Sequence, residues 1–299
     1  MLDSRESGDA VLFNVRAYSE RAGASAGVFY PGKRAHGMIL LESLSGGEYR
    51  KSMEYLSFSR LSLLETCGLR FYFEYVEKRS PVDPVPLHHA KFGTLLHSLY
   101  EQHANSAGHD SYEVLKKRYD VDFPKLVSLF PDRDAAVQFY KKGLAAIQRF
   151  SRYLVKDVVA SEKEFLIETS TGVPPLKGFI DRLIYSEDHG YLVADLKTGK
   201  AFSGGDRKKR RQLVVYSIAC ESEYGTPADS GYFDFVVQGN RAWVDIAEED
   251  RAEVRAWVRE KWHEIEMERF DAKYSRAFCS AYCPFRSECD TFLQHHRAG

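Results

Sequence analysis

The stretch from Lys177 to Tyr216 constrains the fold of this chain more than any other. Tyr191, Leu192, Val193 and Ala194 form a short apolar run bounded by Gly190 and by Thr198-Gly199, the pattern of a buried strand. Such a strand should end on apolar packing, yet this one ends on Asp195-Leu196-Lys197. Side chains alternate along a strand, so Asp195 and Lys197 emerge on one face and Leu196 on the other. Opposite charges at the end of a buried strand are unfavourable unless a metal ion or a charged substrate compensates them. A salt bridge at the surface is the plain alternative.

Asp181 lies in Gly178-Phe179-Ile180-Asp181-Arg182, at the end of another apolar run. Lys177 to Tyr185 and Gly190 to Lys197, joined through Ser186-Glu187-Asp188-His189, read as a hairpin that brings Asp181 towards Asp195. Two like charges held close call for a cation, and oxygen ligands favour a hard ion such as Mg²⁺ or Mn²⁺ over zinc. His97 is a third candidate ligand. It sits near the apolar stripe of a helix marked by Phe92, Leu95, Leu96, Leu99 and Tyr100, where a satisfied core histidine reads equally well.

The order His97, Asp181, Asp195-Leu196-Lys197, Gln212-Leu213-Val214-Val215-Tyr216 resembles the RecB-type branch of the PD-(D/E)XK nuclease superfamily. The resemblance runs from about Ser57 to Cys289. It implies an α/β fold with a restriction-endonuclease-like core, a central mixed sheet flanked by helices, carrying a helical insertion and a C-terminal cysteine cluster. It also implies that His97, Asp181, Asp195 and the Leu196 carbonyl hold one or two divalent ions. Lys197 would then orient the attacking water, with Gln212 and Tyr216, four apart on one helical face, positioning it or a phosphate. A glutamate ahead of Phe165, either Glu162 or Glu164, is expected to add a carboxylate.

Five cysteines with no signal peptide and no transmembrane run argue against a disulfide framework and for a cytoplasmic protein without a membrane. Cys279, Cys283 and Cys289 have the tight spacing of a metal or cluster site but supply only three thiolates. Cys67, which precedes Arg70-Phe71-Tyr72-Phe73, resembles the opening signature of the iron–sulfur members of this branch, which include AddB and the Cas-four-type CRISPR exonucleases. Those members hold a [4Fe–4S] cluster on four such thiolates. The first C-terminal spacing here is three residues where the commoner pattern has two, and Zn²⁺ held by the same four cysteines is the rival reading. Cys220 reads as a small core hydrophobe.

A net charge of −1 gives no global basic field, so any nucleic-acid contact must be local. Arg207, Lys208, Lys209, Arg210 and Arg211 provide one candidate: cations at a helix N-terminus oppose the macrodipole, and helix stability does not explain them. Phosphate contact and an ordinary solvated charge run both fit.

Residues 1–50 read as an extension of low periodicity and 51–299 as one nuclease domain, with the insertion at about 98–159 and the cluster-binding C-terminus at about 270–292. The periodicity predicts helices over Leu56–Val76, Asp110–Phe130 with a break at Pro124, Asp134–Val159, Arg211–Glu223 and Glu248–Arg269. Strands are expected at Glu164–Glu168, at the hairpin above, and at a second hairpin around Gln238-Gly239-Asn240. No Walker-type loop occurs in this sequence, so no fused helicase motor is expected. The expected activity is metal-dependent hydrolysis of DNA, with single-stranded ends as substrate and a helicase or integrase as partner by analogy with relatives. The competing class is a non-catalytic nucleic-acid-binding module with structural zinc.

Overall fold

A computed structural model describes residues 53–152 and 157–297; the extension expected over residues 1–50 lies outside them. The helices that precede the sheet are α1 (Phe58–Thr66), α2 (Gly68–Phe71) with a π-helical turn at Tyr72–Val76, α3 (His88–Asn105), α4 (Tyr112–Asp122) and α5 (Arg133–Phe150). Strands β1 (Val158–Ile167), β2 (Leu176–Ser186) and β3 (Gly190–Lys197) follow, then α6 (Arg207–Tyr224), β4 (Ser230–Phe235), β5 (Asn240–Asp245), α7 (Glu248–Glu266), α8 (Arg276–Tyr282) and α9 (Asp290–Arg297). Several helices begin on a side-chain cap that satisfies an otherwise unpaired N–H. Ser57 accepts from Arg60 N, Asp132 from Ala135 N, and Asp206 from the amides of Lys208 and Lys209.

The five strands lie in the order β1-β2-β3-β4-β5, antiparallel throughout except for the parallel pair β3–β4. A parallel pair needs a crossover, and α6 supplies it. Alternation along β3 then divides the core between two faces. Val193 points into a cluster with Leu213 and Val215 of α6, Phe233 of β4 and Trp257 of α7. Leu196 points the other way, into a cluster with Leu96 and Leu99 of α3 and Ile147 of α5. This is the α/β architecture anticipated above: a mixed sheet with helices on both faces.

Three expected elements change. The helix expected over Leu56–Val76 breaks at Cys67, whose backbone is extended (φ −159°, ψ 106°). The break lets the amides of Gly68 and Leu69 reach the Asp271 carbonyl, at 2.9 and 3.4 Å, a distant partner that local periodicity cannot reveal. The helix expected to reach Val159 stops at Phe150, and Val158 and Val159 belong to β1, where Val158 pairs with Ile184; part of that expectation, residues 153–156, lies outside the described residues. The helix expected from Arg211 starts at Arg207, because Asp206 caps it. The break at Pro124 is found, as a 3₁₀ turn over Phe123–Leu129.

The C-terminal segment is tied back to the chain around Cys67 and beyond. Arg70 Nη1 donates to the Tyr282 carbonyl at 3.0 Å, and the amides of Val82 and Asp83 donate to the Pro284 carbonyl. Gly68 makes this closure sterically feasible: a Cβ there would stand 2.7 Å from backbone atoms of Phe270 and Asp271. Backbone cannot yield as a side-chain tip does. Gly68→Ala is expected to lower stability by about 1–3 kcal/mol through overpacking, read as an earlier midpoint in urea unfolding.

Candidate active site

The register of β2 and β3 builds the site. Arg182 pairs with Ala194, so the preceding Asp181 comes level with Asp195 across the hairpin. Both carboxylates are almost fully buried, at 3% and 1% exposure. One Asp181 oxygen accepts the Leu196 amide at 2.8 Å, which holds it against the end of β3. Burial, then the charge of Asp195, lifts the Asp181 carboxyl from its ordinary 3.8 to about 7, partly opposed by His97.

Two more groups close this corner. His97 projects from α3 so that Nε2 stands 3.1 Å from the Leu196 carbonyl. A carbonyl only accepts, so Nε2 carries the hydrogen in that contact. Nδ1 faces Asp181 Oδ2 at 3.4 Å and Glu162 Oε1 at 3.5 Å. Burial favours the neutral ring, but the charges of Asp181, Glu162 and Asp195 outweigh it and raise the pKa of His97. Glu162 sits in β1 with a positive φ of 50°, a strained conformation for a non-glycine residue and of the kind that collects at functional sites. Its neighbour Ser161 donates to the Asp181 carbonyl at 3.0 Å. Between the two glutamates, the structure therefore brings Glu162 to the site. Glu164 is half-exposed and pairs with Lys177 at 2.6 Å.

Lys197 shares the Asp195 face, as alternation requires, and the two meet at 2.6 Å. Its ammonium also donates to Gln212 Oε1 at 2.8 Å; Gln212 Nε2 donates to the Tyr216 hydroxyl at 3.1 Å; and that hydroxyl donates to Asp195 Oδ1 at 3.0 Å. Four side chains from β3 and α6 thus form a closed ring. His97, Glu162 and Asp181 offer ligand atoms within 4.8 Å of one another. Ligands about 2.1 Å from an octahedral Mg²⁺ ion lie about 3.0 Å apart along an edge, and His97 Nδ1 stands 3.4 and 3.5 Å from its two carboxylate neighbours. The donor set, carboxylates with a carbonyl and one imidazole, fits a hard divalent ion.

The family described as the PD-(D/E)XK nuclease superfamily matches residues 55–290. The chain belongs to the PD-(D/E)XK nuclease superfamily. A candidate exonuclease from Eubacterium rectale is similar in structure at 12% identity and a TM-score of 0.48, covering 86% of this chain and 94% of that one. The structure of SSO0001 is similar at 17% identity and a TM-score of 0.34, over 67% of this chain and 96% of that one. No curated protein matches. Membership of that superfamily makes the protein a nuclease, a hydrolase of nucleic acid.

Around this nuclease core the remaining candidates fall in two places. Cys67, Cys279, Cys283 and Cys289 line one small pocket, and all four are free thiols. Burial pushes the Cys283 thiol up to about 11 and raises that of Cys279. Cys220 stands apart in α6, buried, its thiol donating to the Thr226 carbonyl. The basic run forms the first turns of α6, and each member meets an acid: Arg207 with Glu253, Lys208 and Arg211 with Glu65, Lys209 with Asp206, Arg210 with Asp250. Those acids offset the unfavourable macrodipole. The Arg207 and Lys208 side chains are 76% and 71% exposed all the same. Among the described residues, no helix is long and apolar enough to cross a membrane.

The Asp181 shift fixes a pH dependence. Between about pH 4 and pH 7 the folded chain binds a proton there that the unfolded chain has lost, so this contribution to stability declines as pH rises through that window. In chelator at pH 8, Asp181→Asn should therefore melt above the wild type, with the gap closing near pH 4. Added Mn²⁺ should raise the wild-type Tm at pH 8 and leave the variant nearly unmoved. Calorimetry in both buffers checks both outcomes.

Proposed function

We propose that this nuclease is a Mg²⁺- or Mn²⁺-dependent deoxyribonuclease that acts as an exonuclease on single-stranded ends. The observation that supports this most is the gathering of His97, Glu162 and Asp181 at the end of β3, beside the Asp195–Lys197 pair. His97, Glu162, Asp181, Asp195 and that carbonyl would hold the ion. When bound it would supply Lewis acidity, lowering the pKa of a coordinated water and offsetting charge on the phosphoryl oxygens. Lys197 orients the water and faces the charge that builds on the phosphate. Gln212 and Tyr216 keep the ammonium and Asp195 in register through the ring. Arg207 and Lys208 extend the site as a phosphate-contacting edge, since exposed ion pairs contribute little stability and exchange partners readily.

Cys67, Cys279, Cys283 and Cys289 would hold a [4Fe–4S] cluster, and Zn²⁺ is the alternative metal for the same thiols. The fit lies in the donor set: four thiols in one small pocket, three of them buried. The cluster would clasp residues more than 200 apart in sequence, a staple on a long loop. Recombinational repair and CRISPR adaptation both employ such an enzyme, with a helicase or an integrase as partner, and free thiols suit the reducing cytoplasm.

Digestion of end-labelled single- and double-stranded DNA with Mn²⁺ tests the activity. Asp195→Ala should abolish cleavage, and Lys197→Ala should slow it by at least about 10²-fold, both with the fold intact by circular dichroism. Cleavage that persists in a clean Asp195→Ala preparation excludes this mechanism. DNA binding indifferent to chelator, with no nicking in Mn²⁺, would instead indicate a non-catalytic binding module. Anaerobically purified protein should contain iron and sulfide and absorb in the visible range. Cys283→Ser should bleach that absorption and reduce solubility, whereas zinc in place of iron would identify the alternative metal.

A further inference from the structure

A cleft of about 310 Å³ opens between the end of α5 and the β4–β5 hairpin, outside the catalytic corner. Arg149, Asp234, Arg241 and Trp243 are among the residues that line it. That volume is at the lower end of the range for small-ligand sites, about 300–1,000 Å³. The β4–β5 register pairs Tyr232 with Trp243 and Asp234 with Arg241, so all four project from one face of the sheet.

Trp243 is the unusual member. It is 57% exposed on an edge strand, while the other two tryptophans, Trp257 and Trp262, are 4% and 7% exposed. Its position is fixed on both sides. The Tyr232 ring lies against it with centroids 4.9 Å apart, and Gly204 packs on its backbone carbonyl so closely that a Cβ would clash. An indole held in place with so much of its surface open offers a flat stacking face.

The surrounding charge is cationic. The Arg241 guanidinium stands 4.5 Å over the Tyr232 ring, with Nε 3.5 Å from Asp234. Arg149 reaches in from α5, donating to the Val236 and Val237 carbonyls. Behind them Arg182 is buried at 5% exposure, 3.5 Å over the Tyr100 ring, and its Nε has no hydrogen-bond partner among the described residues. The charges of Arg241 and Arg182 both act on the Asp234 carboxylate, which is itself 8% exposed, and Arg149 lines the same cleft. Asp234 pairs across the sheet with Leu196, whose carbonyl meets His97, so the cleft begins one strand from the catalytic corner, about 4.8 Å in sheet spacing.

A flat aromatic face beside fixed cations suits a planar base that carries a phosphate. A free phosphate would leave the indole unused, and a duplex keeps its base faces stacked internally. We propose that this cleft is a subsite for one unpaired nucleotide of a DNA strand, with its base stacked on Trp243 and its phosphate facing Arg241. The inference builds on the deoxyribonuclease reading, but binding can be measured without catalysis.

The probes are a fluorescein-labelled twelve-residue oligothymidylate and thymidine monophosphate, each titrated into the full chain in chelator. The oligonucleotide should quench the emission of the exposed tryptophan. Trp243→Leu should lose the quench and weaken binding by about tenfold, and Trp243→Tyr, which keeps a stacking face, should bind within about threefold of wild type. Equal affinity of Trp243→Leu and wild type for the oligonucleotide overturns the proposal, as does a failure of Trp243→Tyr to restore binding when its Tm matches wild type. Thymidine monophosphate binding as tightly as the oligonucleotide overturns the strand assignment in favour of a free nucleotide site. Mn²⁺-dependent digestion of end-labelled single-stranded DNA by the wild type reports on the catalytic corner, whereas the titrations above are run without a metal. That digestion fails in wild type if the nuclease mechanism is wrong, whatever the titrations show.

Discussion

Three carboxylates, Asp181, Asp195 and Glu162, share one corner where little water reaches, and the surrounding structure follows from keeping them there. Left alone they would repel one another, and burial with the charge of Asp195 pushes Asp181 towards its neutral form. The fold supplies cationic partners instead. Lys197 meets Asp195, and the imidazole of His97 is held towards its charged form between two carboxylates and a carbonyl. Such an arrangement is unfavourable for a protein that only needs to fold, and appropriate for one that must receive a divalent ion.

Each element is placed by that corner. The antiparallel β2–β3 pair levels the two aspartates, and the strained backbone at Glu162 lets β1 contribute a carboxylate beside them. α3 lays His97 over the end of β3, while its apolar side packs on the same sheet face as Leu196. On the other face α6 runs from the end of β3 back to β4, so Gln212 and Tyr216 reach Lys197 and Asp195 from behind. The ring they close orders the lysine, whose long side chain would otherwise sample many rotamers. The cysteine pocket lies apart, where the C-terminal segment meets the break between α1 and α2.

Much of this was legible before any coordinates. The apolar run ending in Asp195-Leu196-Lys197 told of charges at a buried strand end, and strand alternation told that Asp195 and Lys197 share a face. The pairing of Asp181 with Asp195 followed from a hairpin of short turn. Glu162 could not be separated from Glu164, because period-two alternation puts both on the same side. A positive φ, which no composition signals, distinguishes them. The break at Cys67 was equally hidden, since Leu56 to Val76 has helical periodicity and the cause lies two hundred residues away, at Asp271. The basic run was legible as charge but not as pairing, for its acids come from α1 and α7 as well as from its own cap.

The sequence alone determined the periodicities, the charged strand end and the residue types available as ligands, because these depend on neighbours within a few positions. Only the tertiary structure decided which glutamate enters the site, where the first helix breaks, and that an edge-strand tryptophan stands open above clustered arginines. Those outcomes depend on contacts between distant segments, and the free energy of such contacts is set by register and packing rather than by local propensity.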